Sequence, residues 1–213
     1  SVPSAEAVTL FDDFLCRLAE KQQQVFIISG NHDSAERLAF GGRLMEDKGI
    51  HLSPVYNGNI APITLTDEYG PVHFWLLPFL KPAHVKRFYP DEGIESYTDA
   101  CQVAVEKMGI EVRVLPIDQR GIVDLEAAAN VIDEHTALVS CMQVSNETGA
   151  IQPIEQLSRL AHEKNPKVRI HVDGVQGFLR VPIELKYVDL YSLSSHKIHG
   201  PKGEGALVWR RNV

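Results

Sequence analysis

The sequence predicts an α/β fold built as two partial α/β modules joined near residue 100, and three observations carry that prediction. Residues 5–45 read as helix, strand, polar loop and helix in succession. From residue 111 onward, short apolar runs alternate with helical patterns, the order expected of a mostly parallel sheet. The composition is globular, with 44% hydrophobic and 23% charged residues over 213 positions.

The elements follow in order. Residues 5–20 (AEAVTLFDDFLCRLAE) place Val8, Phe11, Phe14, Leu15 and Leu18 at helical spacing. Val25-Phe26-Ile27-Ile28-Ser29 is a short apolar run suited to a buried parallel strand. It runs into Gly30-Asn31-His32-Asp33, and Ser34 stands as the cap of a helix through Met45. Strands are expected at 60–66 and 72–77, and a helix at 96–108. In the second module EVRVLP (111–116) reads as a strand, DLEAAANVID (124–133) as a helix and ALVSCMQV (137–144) as a strand. IEQLSRLAHEK (154–164) reads as a helix, and RIHVDG (169–174), VDLYSLS (188–194) and GALVWRR (205–211) as strands. The stretch DEGIESYTDAC (91–101) is the candidate boundary, giving modules at 1–99 and 100–213.

Charge and cysteine content narrow the function classes. The net charge is −7. Residues 1–100 hold 8 basic and 14 acidic side chains, and 101–213 hold 13 and 14. Neither module has the basic balance of a nucleic-acid binder. Cys16, Cys101 and Cys141 show no metal-ligand spacing and sit among apolar neighbours, as buried thiols do. No apolar run reaches the roughly 18 residues of a membrane span, so no membrane association and a cytoplasmic location are expected. The chain begins at Ser1, so the start of the gene product is expected to lie upstream.

Gly30-Asn31-His32-Asp33 stands where a strand meets a loop, the place where α/β folds put their sites. An Asn oxygen suits Mg or Mn, and a neighbouring His can protonate a leaving oxygen. The same four residues also suit an Asx turn with a capping serine. The segments SVPSAEAV, VFIISGNHDSAERLAFGGRLMEDKGIHL and WLLPFLKPAHVKRFYPDE resemble the SbcD nucleases, DNA-repair members of the calcineurin-like metallophosphoesterases. That resemblance implies a metal ligand at Asn31, a catalytic role for His32, Mn or Mg as cofactor, and DNA and an SbcC-type ATPase as partners. The family's Asp-x-His, Gly-Asp and Gly-His-x-His motifs are missing, and His51, His73 and His84 stand outside them. A two-metal centre needs ligands from several loops, so this module is expected to be an inert exonuclease fragment.

The second module carries a fuller set. Pyridoxal 5'-phosphate requires a lysine for its aldehyde, a carboxylate beside its pyridine nitrogen, and donors for its phenolic oxygen and phosphate. Ser192–Gly203 (SLSSHKIHGPKG) places Lys197 after a strand-like run, beside Ser194 and His196, with Gly200, Pro201 and Gly203 forming a tight loop. HVDGVQG brings Asp173 and Gln176 to a strand end, and Val144-Ser145-Asn146-Glu147 ends the strand before it. Three strand ends would thus bring these residues to one edge of a sheet.

RGIVDLEAAANVID, TALVSCMQVSNETGAIQPI, RIHVDGVQG, VPIEL and SLSSHKIHGPKGEGALVWRR closely resemble the large domain of NifS-like cysteine desulfurases, within the class V aminotransferase fold of the PLP transferases. The resemblance implies Lys197 as catalytic and aldehyde-binding lysine, Asp173 on the pyridine nitrogen, Gln176 and Asn146 on the phenolic oxygen, and Ser194 and His196 on phosphate. It also implies cysteine as substrate and a homodimer. Gly174 and Ser195, where that family often has alanine, are expected to be harmless departures. The family's ring-stacking histidine, its other phosphate loop and its sulfur-accepting cysteine have no counterpart here, and His135, His162, His171 and His199 stand at no catalytic motif position. The expectation is therefore a desulfurase-like fragment fused to an incomplete nuclease fragment, without full activity of either. The alternatives are a metal-dependent DNA exonuclease and a chimera with no native function.

Overall fold

A computed structural model describes residues 4–201 and 204–210. The chain divides into two compact units, Ser1–Val112 and Arg113–Val213.

The first unit opens with α1 (Ala5–Glu20), whose Ser4 cap accepts a hydrogen bond from the Ala7 amide at 3.2 Å. Of its apolar stripe only Leu15 is buried, while Val8, Phe11 and Phe14 are exposed. β1 (Val25–Ile27) pairs in parallel with β2 (Ile50–Leu52), a strand absent from the sequence reading. Between them lie two short helices, α2 (Ala35–Leu38) and α3 (Gly42–Met45), in place of one helix to Met45. The break falls at Gly41, whose φ of 74° is left-handed and cannot continue a helix. β3 (Ile63–Asp67) and β4 (Gly70–Phe74) form an antiparallel hairpin, with Asp67 Oδ1 accepting from the Tyr69 and Gly70 amides.

α4 (Pro82–Lys86) and α5 (Tyr97–Glu106) complete the unit. Ser96 and Asp99 cap α5 reciprocally: Asp99 N donates to Ser96 Oγ at 3.1 Å and Ser96 N to Asp99 Oδ2 at 2.7 Å. These amide donors hold the Asp99 carboxyl below its ordinary range. Although most of α5 lies beyond residue 99, it buries Ala100, Val103 and Ala104 with Tyr56, Ile60, Leu80, Val85 and Ile94. Its cap and its packing both tie it to the first unit.

The second unit is a four-stranded sheet ordered β5 (Leu138–Met142), β6 (Arg169–Asp173), β7 (Leu190–Ser194) and β8 (Gly205–Trp209). α6 (Leu125–Ala128) precedes it and α7 (Ile154–Lys164) links β5 to β6. β5, β6 and β7 are parallel, and β8 returns antiparallel to β7. The core lies on one face, where Val139, Ile170, Val172 and Tyr191 pack with Leu157 and Ala161 of α7. The expected strand at 111–116 does not form; nearby, only an isolated bridge joins Ile117 to Val123. The helix expected to Asp133 stops at Ala128; beyond it, Val131 O accepts from Arg113 Nη1 at 2.6 Å and the Asp133 carboxylate pairs with the same guanidinium.

Candidate functional site

The register of the three parallel strands assembles the site. Met142 pairs with Asp173 and Asp173 with Ser192, so β5, β6 and β7 end at nearly one level. The carboxyl ends therefore present residues 143–146, 173–176 and 194–197 side by side, where open α/β sheets bind ligands. Asn146 lies exposed in the turn after β5, Gln176 is half-buried in the turn after β6, and Lys197 is half-buried in a 3-10 turn, Ser195–Ile198, after β7.

Ser194 and His196 meet directly, with Ser194 Oγ and His196 Nδ1 2.7 Å apart. Asp173 Oδ1 accepts from Val175 N at 2.9 Å, which fixes the carboxylate at the strand end. Among the described residues no other hydrogen bond reaches that carboxylate, and none engages the Lys197 ammonium. An amine, an acid and a hydroxyl–imidazole pair thus follow the ends of adjacent strands. Asn146 and Gln176 show no side-chain bond to the others. Gly203 lies outside the described residues.

On the same face as Asp173, Ser140 Oγ meets His171 Nδ1 at 2.7 Å and Ser192 Oγ meets His171 Nε2 at 3.3 Å. Burial lowers the His171 pKa, with the Asp173 charge opposing it. His171 is bonded at both ring nitrogens.

Beneath the turn that carries Gln176 lies a buried polar relay absent from the sequence reading. Tyr191 donates from its hydroxyl to Gln143 Oε1 at 2.6 Å, and Gln143 Nε2 donates to Val181 O at 2.9 Å. Gly174 is the residue this packing requires, since alanine would not fit here. A Cβ there would stand 1.9 Å from Tyr191 Cζ, and one on Gly177 would stand 2.2 Å from Gln143 Oε1. Ser195 also has a task, since its hydroxyl donates to Pro201 O and closes the lysine loop.

The turn carries one strained residue. Leu179 has φ 61° and is 77% exposed, so its side chain gains little packing in a region that favours glycine. Leu179→Gly is expected to raise stability by about 1 kcal/mol, the usual scale of the left-handed penalty, in urea unfolding. An unchanged or lowered midpoint would show that the strain is relieved elsewhere.

The first unit gives no comparable assembly. Asn31 and His32 are exposed in a turn closed by Gly30 N donating to Asp33 Oδ2 at 2.7 Å, with Ser34 Oγ capping α2. Asp33 N also donates to Gly30 O at 3.1 Å, so residues 30–33 form a backbone turn braced by the Asp33 carboxylate, in place of the Asx turn the residues suggest. Among the described residues no three His, Cys, Asp or Glu side chains gather where they could hold a metal ion. His51 bonds Gln24, His73 bonds Thr64 and His84 caps α4, so all three histidines serve local structure. The Asn31 metal role and the His32 catalytic role, with their Mn or Mg, DNA and SbcC-type partner, gain no structural support. No helix among the described residues is long and apolar enough to cross a membrane.

Comparison with known proteins covers the part of the chain that holds the strand-end site. Cysteine desulfurase IscS of Rickettsia bellii is 47% identical over 115 residues, which are 53% of this chain and 27% of that protein. The same enzyme of Rickettsia massiliae is 45% identical over the same length and the same shares. Among solved structures, a NifS-like protein is 42% identical over 53% of this chain and 33% of its own, with a TM-score of 0.48. DndA from Streptomyces lividans is 37% identical over 52% and 32%, with a TM-score of 0.45. The chain spans about a quarter of the length of the curated relatives it matches. The family model for class V aminotransferases matches residues 88–213, more than half of the chain, and the chain therefore belongs to the class V aminotransferase family.

Proposed function

We propose that the second unit captures pyridoxal 5'-phosphate through Lys197 and is the lysine-bearing fragment of a cysteine desulfurase. The observation that carries this reading is the alignment of three parallel strand ends that brings Asn146, Asp173 with Gln176, and Lys197 to one edge. The donor set fits the group. Lys197 would bind the aldehyde, and Asp173, held by Val175 N, would sit on the pyridine nitrogen. Gln176 and Asn146 would face the phenolic oxygen, and the Ser194–His196 pair would meet the phosphate. When bound, the cofactor supplies an electron sink for the α-carbon of an amino acid. The chain's own residues bind it, orient it and keep its ring nitrogen charged.

Turnover is a separate matter. Cys16 and Cys101 are exposed and Cys141 is half-buried, where the residues suggest buried thiols; partial burial still pushes the Cys141 thiol up to about 11 and raises that of Cys101, so neither of these two is a ready thiolate for accepting sulfur. Cysteine is the substrate class this reading favours, in keeping with a solved relative, SspA, described in complex with cysteine at 32% identity. A homodimer is the assembly it favours. On this reading the junction with the upstream module falls between Glu106 and Arg113, since α5 packs with the first unit. The upstream module is read by resemblance as an SbcD-like fragment.

The test is reductive trapping. Incubation with excess cofactor, borohydride reduction and peptide mapping should place most of the label on Lys197 and release no sulfide from added cysteine. Lys197→Ala should lose that label while folding normally. Label spread evenly over the lysines would sink the proposal.

A further inference from the structure

We propose that Arg180 is a positioning residue that holds the Lys197 turn against the Gln176 turn; this rests on the cofactor reading above. Its guanidinium donates through Nη1 to Gln176 O at 3.3 Å and through Nη2 to Lys197 O. The two carbonyls belong to two of the residues that would touch the cofactor, on loops following different strands. One side chain therefore sets their separation.

The turns themselves explain why a clamp is useful. The Gln176 turn closes on itself through Phe178 N to Gly174 O at 2.7 Å and Arg180 N to Gly177 O at 2.9 Å. It is anchored below by the Gln143 bond to Val181 O. The Lys197 turn is only one turn long, ends at His199 with φ 64°, and is closed by Gly200 N to Ser195 O at 2.9 Å. Among the described residues, Arg180 is the one side chain from elsewhere that bonds the 195–200 backbone. A planar guanidinium offers parallel donors that reach two carbonyls at once, whereas a lysine ammonium is a single point on a flexible stem. The anchored turn thereby lends its rigidity to the short one.

The experiment combines hydrogen exchange of the full 213-residue chain without cofactor and reductive trapping with pyridoxal phosphate. In Arg180→Met, amides of residues 195–200 should exchange about ten-fold faster, with α7 unchanged, and Lys197 labelling relative to other lysines should fall about ten-fold. Arg180→Lys, which keeps the charge and guards against a folding defect, should sit between the two. Selective Lys197 labelling in the parent that survives Arg180→Met, with unchanged exchange at 195–200, overturns the clamp alone. Uniform labelling in the parent overturns the cofactor reading and with it the positioning role. Behaviour of Arg180→Lys identical to the parent overturns the two-carbonyl argument.

Discussion

Gly174→Ala is expected to destabilise the second unit by about 3 kcal/mol, the upper end of ordinary overpacking. The new methyl would stand 1.9 Å from Tyr191 Cζ, 2.1 Å from its hydroxyl oxygen and 2.4 Å from Cε1. No small rotation frees the ring. Tyr191 is 4% exposed, packs beside Val172 and Phe178, and is bonded through its hydroxyl to Gln143. Displacing it would also leave Gln143 Oε1, itself buried, without its donor, and an unpaired buried acceptor costs about 1–3 kcal/mol. The test is urea unfolding of Gly174→Ala, Tyr191→Leu and the double variant. Tyr191→Leu should be destabilising alone, through a cavity and the same orphaned acceptor. The double variant should be more stable than the two single losses added, because the methyl enters space the ring has left. If Gly174→Ala unfolds within about 0.5 kcal/mol of the parent, the scale of a neutral surface change, the close packing of the ring on Gly174 is wrong.

This pair marks the limit of what could be read from the residues in order. Both ends of α1 and of α7 were legible, because apolar positions recur at helical spacing and Ser4 or the turn at Gln152-Pro153 stops the preceding chain. The strand-end placement of Asp173 and Lys197 was legible too, since three apolar runs separated by a helix and a loop imply a sheet with a common carboxyl edge. The mostly parallel sheet is as expected, and the antiparallel direction of β8 is also readable from loop length. Residues 195–204 are too few for the crossover that a parallel neighbour needs, which takes a dozen or more. The run at 111–116 alternates like a strand yet forms none, as alternation alone does not supply a strand neighbour. Gly174 and Tyr191 stand 17 positions apart, and Gln143 stands further away still; only the register of β5, β6 and β7 brings them together. Arg180 was hidden for the same reason, its acceptors being backbone carbonyls that no motif records.

Asp189 is the remaining residue that the strand pattern concealed, and it carries the second large prediction. It sits between Val188 and Leu190 at the entrance to β7, 8% exposed, in a run that reads as simply apolar. A carboxylate in such a place must be paired, because burying it bare costs far more than any packing returns. Its Oδ2 accepts from Ile170 N at 2.8 Å, while its own amide donates to Ile170 O at 2.9 Å and its carbonyl accepts from Arg210 N at 2.9 Å. The side chain thus completes the β6–β7 ladder at the end opposite the lysine, where Ile170 is 1% exposed and its amide is shut off from water. Asp189→Ala removes a charge-assisted bond worth about 1.5–3 kcal/mol and strands that amide. The expected loss is about 3 kcal/mol in urea unfolding, with hydrogen exchange at Ile170 accelerated accordingly. Asp189→Asn keeps an oxygen acceptor and should recover about half of the loss, since a neutral bond is roughly half as strong as a charged one. Equal losses for Asn and Ala would mean that the charge matters more than the Ile170 bond, and a neutral Asp189→Ala would remove the strut altogether.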